Sequence, residues 1–519
     1  MLQRLPDRHP DENLPEGAVV DGASLGRDVD EAYDFVVIGS GAAGAVAAHT
    51  LASAGYSVGI LEEGPWVKTR DFGDDVSGAF QQLMRGSGLQ VLKGRAYMPM
   101  IQGRCVGGST VINSAIAWRI PEDVVDDWRE NFGIGDALTM RDLEPHFSAL
   151  ERDLHVRSVD ERVLGENNRL FIEHAQKMGI EATPMRRYDK GCDGTARCLT
   201  GCPRAAKQGM SVSYIPWALA LGARIFTGCR AERVEIRGGR AVGVLGRAGR
   251  HAVRLRARRG VLVAASTVQT PNLLHRSGLR SRALGKHFQA HPGVALGGLM
   301  DRRVDMSFGA TQGAESIHFR KTDRFKLETI AMPPELAVAR IPGVGSELAG
   351  RMAQFGEVCV WVVQVRAEAE GTVREGWGGG DSVRFTLTEN DIRATRKACG
   401  VLARLLFSAG AREVWPGIHG LPHVLRSVDD VKLIDEGPLD PRAYSFVATH
   451  LFGAARMGPD PRASVVGLEF ATHEAEHLYV VDSSIFPTNL GVNPQHSIMA
   501  LSRLAATRIA SRAVRQAVA

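Results

Sequence analysis

The sequence predicts an α/β fold in which alternating strands and helices are interrupted by a β-rich insertion. Three observations carry this. A strand, a Gly-rich turn, a helix and a second strand succeed one another in YDFVVIGSGAAGAVAAHTLASAGYSVGILEEGP. Four strand-like runs separated by turn residues occupy 222–265. A last strand, a loop and a long helix close the chain in LYVVDSSIFPTNLGVNPQHSIMALSRLAATRIA.

Residues 1–30 are polar, rich in Pro and Gly, and lack the apolar core of a secretory signal. They read as a leader packed on the surface or partly mobile. Asp34 to Ile38 is a short apolar strand ending at Gly39, and Ala42 to Ala54 has helix formers with small residues on one face. Gly55 stops that helix, and Ser57 to Leu61 is a second buried strand. Residues 66–100 look irregular, whereas 123–154 has a helical pattern through Trp128, Phe132, Leu143 and Phe147. The 222–265 stretch reads as a β-meander with a Gly238-Gly239 turn. Further strands are predicted in VCVWVVQVRAEA and SVRFTLT, a flexible loop in GWGGG (376–380), and a helix in NDIRATRKACGVLARLLFSAG that ends at Gly410. The framework therefore takes 31–295 and 440–519, and the insertion 296–439.

The 519 residues are 44% hydrophobic and 23% charged, values of a soluble globular protein. The 63 basic and 58 acidic residues are interspersed, which argues against a nucleic-acid surface. No apolar run approaches the ~18 residues of a membrane span. Seven cysteines, an odd number without a signal, point to free thiols in a reducing, cytoplasmic compartment.

Gly39, Gly41 and Gly44 form a G-x-G-x-x-G turn between strand and helix. The first permits the tight turn, the second lets backbone approach a pyrophosphate, and the third allows close helix–strand packing. The helix start at Ala42 and Ala43 offers N–H donors to phosphate. Glu62 ends the second strand, where an acid grips a ribose diol. Together these predict dinucleotide binding. At the other end, Asp482 closes a strand and is placed for a ribityl or pyrophosphate hydroxyl. Asn493 and Pro494 open a helix whose positive end suits the anionic N1 and C2 carbonyl region of a reduced flavin.

At this point the chain resembles the glucose-methanol-choline (GMC) flavoprotein oxidoreductases over roughly 33–515. The likeness rests on VVIGSGAAGAVAAHTLASAGYSVGILEEGP, GRCVGGSTVINSAIAWRIPEDVVDDW, ASTVQTPNLLHRSGL with LGKHFQAHP, and HLFGAARMG with VVDSSIFPTNLGVNP. It implies a Rossmann-type FAD domain interleaved with an antiparallel-sheet substrate domain. It implies FAD contacts at Glu63, Gly107, Gly108, Ser109, Asn113 and Ala231 as well as at the residues above. It makes His450 the active-site base and Asn493 its partner. Ala454 stands where the family usually has Thr, which bears on a local hydrogen bond and not on the pair. Some members attach FAD through a His in the first signature. No His lies between Gly103 and Trp118, so noncovalent FAD is expected.

The chemistry of the pair fits alcohol oxidation. A His with an ordinary pKa near 6.5 accepts the hydroxyl proton. Asn493 donates to the developing alkoxide without titrating, and flavin N5 takes the hydride. The expected activity is oxidation of a primary or secondary alcohol to an aldehyde or ketone, with reoxidation by oxygen or another acceptor. The alternatives are a family lyase that keeps FAD without redox turnover, and a flavin-binding protein without alcohol chemistry. His496, two residues past Pro494, either faces the flavin or sits on the helix surface. The run IAMPPELAVA (330–339) suits an apolar or aromatic substrate, though core packing explains it equally well.

Cys192, Cys198 and Cys202 lie close together in KGCDGTARCLTGCPRAAKQG. Such spacing suits a metal or an iron–sulfur cluster and resembles the cluster loop of bacterial sugar dehydrogenases of the same family, which pass electrons onward. Those enzymes are usually exported with a partner subunit. The reading adopted is a clusterless loop covering the FAD, its thiols reduced or joined in a local disulfide. Cys105, Cys229, Cys359 and Cys399 are read as packing residues.

Overall fold

The computed structural model describes residues 9–518, with side chains described to residue 514. Residues 1–8 of the leader lie outside this range. Of the remainder, Val19–Asp21 forms a parallel edge strand beside Arg224–Thr227, and Asp11 Oδ2 accepts a 2.7 Å hydrogen bond from Thr69 N.

The larger sheet is assembled around Val29–Ile38. Val58–Leu61 and then Arg224–Thr227 lie on one side, with His251–Val263 on the other, all parallel. Leu478–Val480 runs parallel to the end of His251–Val263, while Arg240–Ala248 and Arg230–Arg237 extend the sheet antiparallel. The central strands are buried on both faces, so they read as apolar runs: Phe35, Val36, Val37, Val58, Ile60, Val261 and Leu262 are all at most 1% exposed. The register pairs Ile38 with Leu61 and Val263, and Val263 with Val480. Four strands thus end level, and the chain leaves them at Gly39, Glu62, Ala264 and Val481. That carboxyl edge is where open parallel sheets bind ligands. The helix Ala42–Ser53 packs on this sheet through Ala43, Gly44, Ala47 and Leu51, beneath the closing helix Gln495–Val518.

The second sheet is antiparallel. Its order is Ala411–Trp415, Gln289–Met300, Val358–Val365, Phe325–Thr329, Ala314–Ser316 and Thr183–Pro184, with Val447–Phe452 also paired to Gln289–Met300. The helix Glu389–Ser408, opened by a Thr388–Asp391 capping box, buries Ile392, Cys399, Leu402 and Leu406 against it. This sheet recruits 183–184, 289–295 and 447–452 from outside the 296–439 segment. The last of these strands carries His450 into the sheet.

Two local readings are corrected. The 66–100 stretch contains a helix, Val76–Leu83, too short for its periodicity to register in sequence. The 123–154 pattern is two helices, Glu122–Asn131 and Met140–Asp153, broken where Gly133 and Gly135 adopt positive φ. The GWGGG loop is a tight turn joining Thr372–Glu375 to Asp381–Arg384.

Candidate active site

One cavity runs from the Gly-rich turn to His450. Its lining includes Gly39, Gly41, Ala42, Ala43, Glu62, Glu63, Gly108, Ser109, Asn113, Ala231, His450, Asp482, Asn493 and Pro494. Gly44 and Gly107 stand behind it. A Cβ on Gly44 would lie 1.9 Å from Gly39 O, so this glycine is what lets helix and turn touch. Gly107 has φ +92° and donates its N–H to Ser40 Oγ at 3.1 Å, bracing the turn.

The cradle fits a dinucleotide. A Cβ on Gly41 would meet only Gly108 Cα, at 4.0 Å. The helix beginning at Ala42 has no side-chain cap, so its first N–H groups are free for phosphate. Glu62 is held in place: Oε2 accepts from Ser40 N (3.0 Å) and Ser40 Oγ (2.6 Å), and Oε1 from Gly64 N (2.7 Å). Burial raises its pKa despite these donors. Glu63 is paired with Arg85 at 2.7 Å. Asp482 accepts from Ser266 N, Thr270 Oγ1 and Ser484 N at 2.9, 2.6 and 2.9 Å. Asn113 accepts from Ala115 N at 3.0 Å and donates to Gln495. These acids reach the cavity wall as braced groups, which fixes their orientation before anything binds.

At the other end of the cavity, Val447–Phe452 sets His450 directly opposite His291. The two rings stack with centroids 5.3 Å apart, and their Nδ1 atoms are 3.2 Å apart. Asn493 Nδ2 lies 3.5 Å from His450 Nε2. Behind Asn493, the fully buried Lys326 donates from Nζ to Asn493 Oδ1 at 2.7 Å. A lysine can only donate, so this bond decides which end of the amide is oxygen. Nδ2 is then turned toward His450, whose Nε2 must be the lone-pair nitrogen. The proton of the neutral ring is on Nδ1, donated to His291. Burial lowers the pKa of His450 to about 4 and holds His291 well below its ordinary value, so both rings are neutral near pH 7.

Lys326 is itself compensated. Glu315 and Glu328 each approach Nζ at 2.6 Å. Burial alone would push this amine down, but the two carboxylates outweigh it and hold its pKa above the ordinary value. Trp118 Nε1 donates to Glu315 at 2.5 Å, and Gln312 and Gln364 donate to Glu328 at 2.8 and 3.1 Å. Both glutamines line the cavity. Sequence reasoning missed this cluster and His291. The one signal was FKLET, where Lys326 and Glu328 share a face of an otherwise apolar strand.

His496 is away from the cavity. It is fully buried between Phe147 and Tyr188, with Nε2 3.4 Å from Glu151. Leu199, in the Cys loop, is among the residues that line the cavity. Cys198 Sγ accepts from Arg187 Nη2 at 3.2 Å, and all seven cysteines are free. Among the described residues no three His, Cys, Asp or Glu side chains are grouped to hold a metal ion, and no helix is long and apolar enough to cross a membrane. Cys105, Cys359 and Cys399 are buried as expected, and buried Cys229 also reaches the cavity wall.

Comparison with known proteins places these features in context. The family profiles described as GMC oxidoreductase match residues 33–293 and 381–502. An uncharacterised GMC-type oxidoreductase of Mycobacterium tuberculosis is 35% identical over 483 residues, which cover 93% of this chain and 76% of that protein. A long-chain-alcohol oxidase of Arabidopsis thaliana is 28% identical, over 92% of this chain and 66% of its own. Among solved structures, pyridoxine 4-oxidase from Mesorbium loti superposes with a TM-score of 0.71 at 18% identity, covering 91% of this chain and 98% of its own. An Aspergillus oryzae formate oxidase variant reaches 0.73 at 17%, covering 93% and 99%. At such identities the likeness is one of fold.

Proposed function

The chain belongs to the GMC oxidoreductase family, and from that premise we propose that it oxidises a primary or secondary alcohol to an aldehyde or ketone with noncovalent FAD. The observation that carries this is the orientation of Asn493, whose Nδ2 and the lone pair of His450 Nε2 converge in the cavity that also holds the Gly-rich turn. The turn and helix start at Gly39–Ala43 would hold the pyrophosphate, Glu62 the ribose, and the Asn493–Pro494 helix start the flavin ring. When bound, the flavin supplies the two-electron acceptor for the hydride on the carbinol carbon.

The protein's own residues handle the proton. A hydroxyl between Asn493 and His450 donates to Nε2 and accepts from Nδ2. As the proton moves to Nε2, the amide N–H meets the growing negative charge on oxygen. The His450 Nδ1–H bond to neutral His291 fixes the tautomer in which Nε2 is basic. Lys326, compensated by Glu315 and Glu328, holds Asn493 by its oxygen and so keeps Nδ2 turned toward the reacting hydroxyl.

Anaerobic mixing of the purified holoenzyme with a panel of alcohols should bleach the flavin. Absence of bleaching by any of them would overturn the reading. Acid precipitation should release a yellow supernatant, and flavin retained in the pellet would exclude noncovalent binding. Reoxidation by oxygen or another acceptor completes the cycle, and comparing air with dye acceptors identifies which.

A further inference from the structure

Arg340 directly follows the run IAMPPELAVA (330–339) and lines the cavity, as do Met332, Val447 and His450. It is partly buried, and among the described residues no carboxylate lies within ion-pair distance of it. Its one hydrogen bond runs from Nη1 to Ser445 O at 3.1 Å, leaving Nε and Nη2 uncommitted. Other arginines nearby are treated differently. Arg351 is paired with Glu347 and Glu413, and of the other cavity arginines Arg85 and Arg276 meet Glu63 and Glu375. Arg230 is unpaired but exposed, next to Ala231 at the cofactor end. Burial is what depresses the pKa of Arg340, with no charged neighbour contributing. Even so, a guanidinium does not lose its proton in a protein. Arg340 is thus a partly desolvated charge without a counter-charge, and a ligand that supplies one offsets the hydration already lost.

A second observation concerns the same cavity. Gln364 is 7% exposed, and its Nε2 is committed to Glu328, which can only accept. That fixes Oε1 as the free end, and Oε1 is buried without a partner. The cavity lining therefore includes a cation and an unused acceptor as well as the apolar Ile330, Met332 and Val362.

On the reading that this cavity oxidises an alcohol, we propose that its substrates are anionic alcohols. The hydroxyl meets His450 and Asn493, a carboxylate or phosphate at the far end meets Arg340 in forked geometry, and a further N–H or O–H donor meets Gln364. An unfunctionalised fatty alcohol would leave both groups unpaired.

The test separates recognition from turnover. Calorimetric titration of the holoenzyme would use alkyl carboxylates, alkyl phosphates and neutral alkyl carboxamides of matching length, none carrying a hydroxyl. Binding of one anion series about 10- to 10²-fold tighter than the amides, the range for a hydrogen bond to a charged group, is the expected result. Whichever anion binds tighter identifies the substrate's charged end. Arg340→Gln should bring the ratio close to one, and Arg340→Lys should keep part of it. Amides binding wild type as tightly as both anion series, or a ratio that survives in Arg340→Gln, would overturn the proposal. If Arg340→Gln fails to fold, the wild-type ratio and Arg340→Lys still decide. In turnover, ω-hydroxy carboxylates or their phosphate counterparts should bleach the flavin with a higher kcat/KM than 1-alkanols of the same length. Discrimination without bleaching would leave the anion site standing while the alcohol reading fails.

Discussion

Because Lys326 Nζ can only donate, its contact with Asn493 governs the amide, and through the amide the state of His450. Asn493→Asp keeps the shape and the Lys326 bond but turns an oxygen toward Nε2. Two lone pairs then face each other unless Nε2 carries a proton, by tautomer exchange or by full protonation of the ring, and in either form Nε2 is no base. The variant should fold and bind FAD while flavin reduction slows ~10²- to 10³-fold, as on losing an oxyanion donor. Stopped-flow reduction rates within a few-fold of wild type would show that Nδ2 does not face the reacting oxygen. His450→Ala removes the proposed base. Reduction should slow ~10²- to 10⁴-fold with flavin content intact, and near-normal rates at saturating alcohol would remove His450 from the chemistry. His450 and Asn493, which the structure brings together, could be singled out because each sits at a fixed offset within a recognisable run. His291, Glu315, Lys326 and Arg340 were not, since their roles come from strand register and from a partner's absence, which no local spacing encodes.

At the scale of elements, the strand–turn–helix unit was legible nearly to the residue. Its glycines, its helix stop at Gly55 and its apolar strands all obey local rules. The sequence placed the strand at Asp34, whereas it begins at Val29, because the earlier residues pair with the first half of His251–Val263 and not through any pattern of their own. The close approach of helix and turn gives a direct test. Gly44→Ala would place a methyl 1.9 Å from Gly39 O, backbone that cannot swing away. The helix start must shift outward, and the phosphate cradle with it. The purified variant should carry a markedly lower ratio of flavin to protein absorbance than wild type, with secondary structure by circular dichroism retained. Full flavin occupancy would mean that the turn tolerates the shift and that the third glycine is not needed for the cofactor.

For the molecule as a whole, the insertion was visible as a β-rich region, but its strand partners at 183–184 and 447–452 come from distant parts of the chain and could not be read from composition. The same long-range burial sets the response to acid. His49, His146, His291, His450 and His496 all have pKa values lowered by burial, His146 and His450 to about 4. In the unfolded chain each takes up a proton as pH falls through about 6.5. In the folded chain His146 and His450 do not follow until about pH 4, and the other three rings follow below their ordinary value, so between these limits the unfolded state binds more protons and stability must fall as pH falls. Carboxylate titration enters near the lower limit, which leaves the upper part of the window to histidine. The melting temperature of the holoenzyme should therefore drop steadily from about pH 7 to about pH 5. His146→Gln, on the helix Met140–Asp153 and outside the cavity lining, should make that drop shallower. A melting temperature flat across this range would mean that the native fold already holds these rings charged, and a basic, neutral His450 would fall with it.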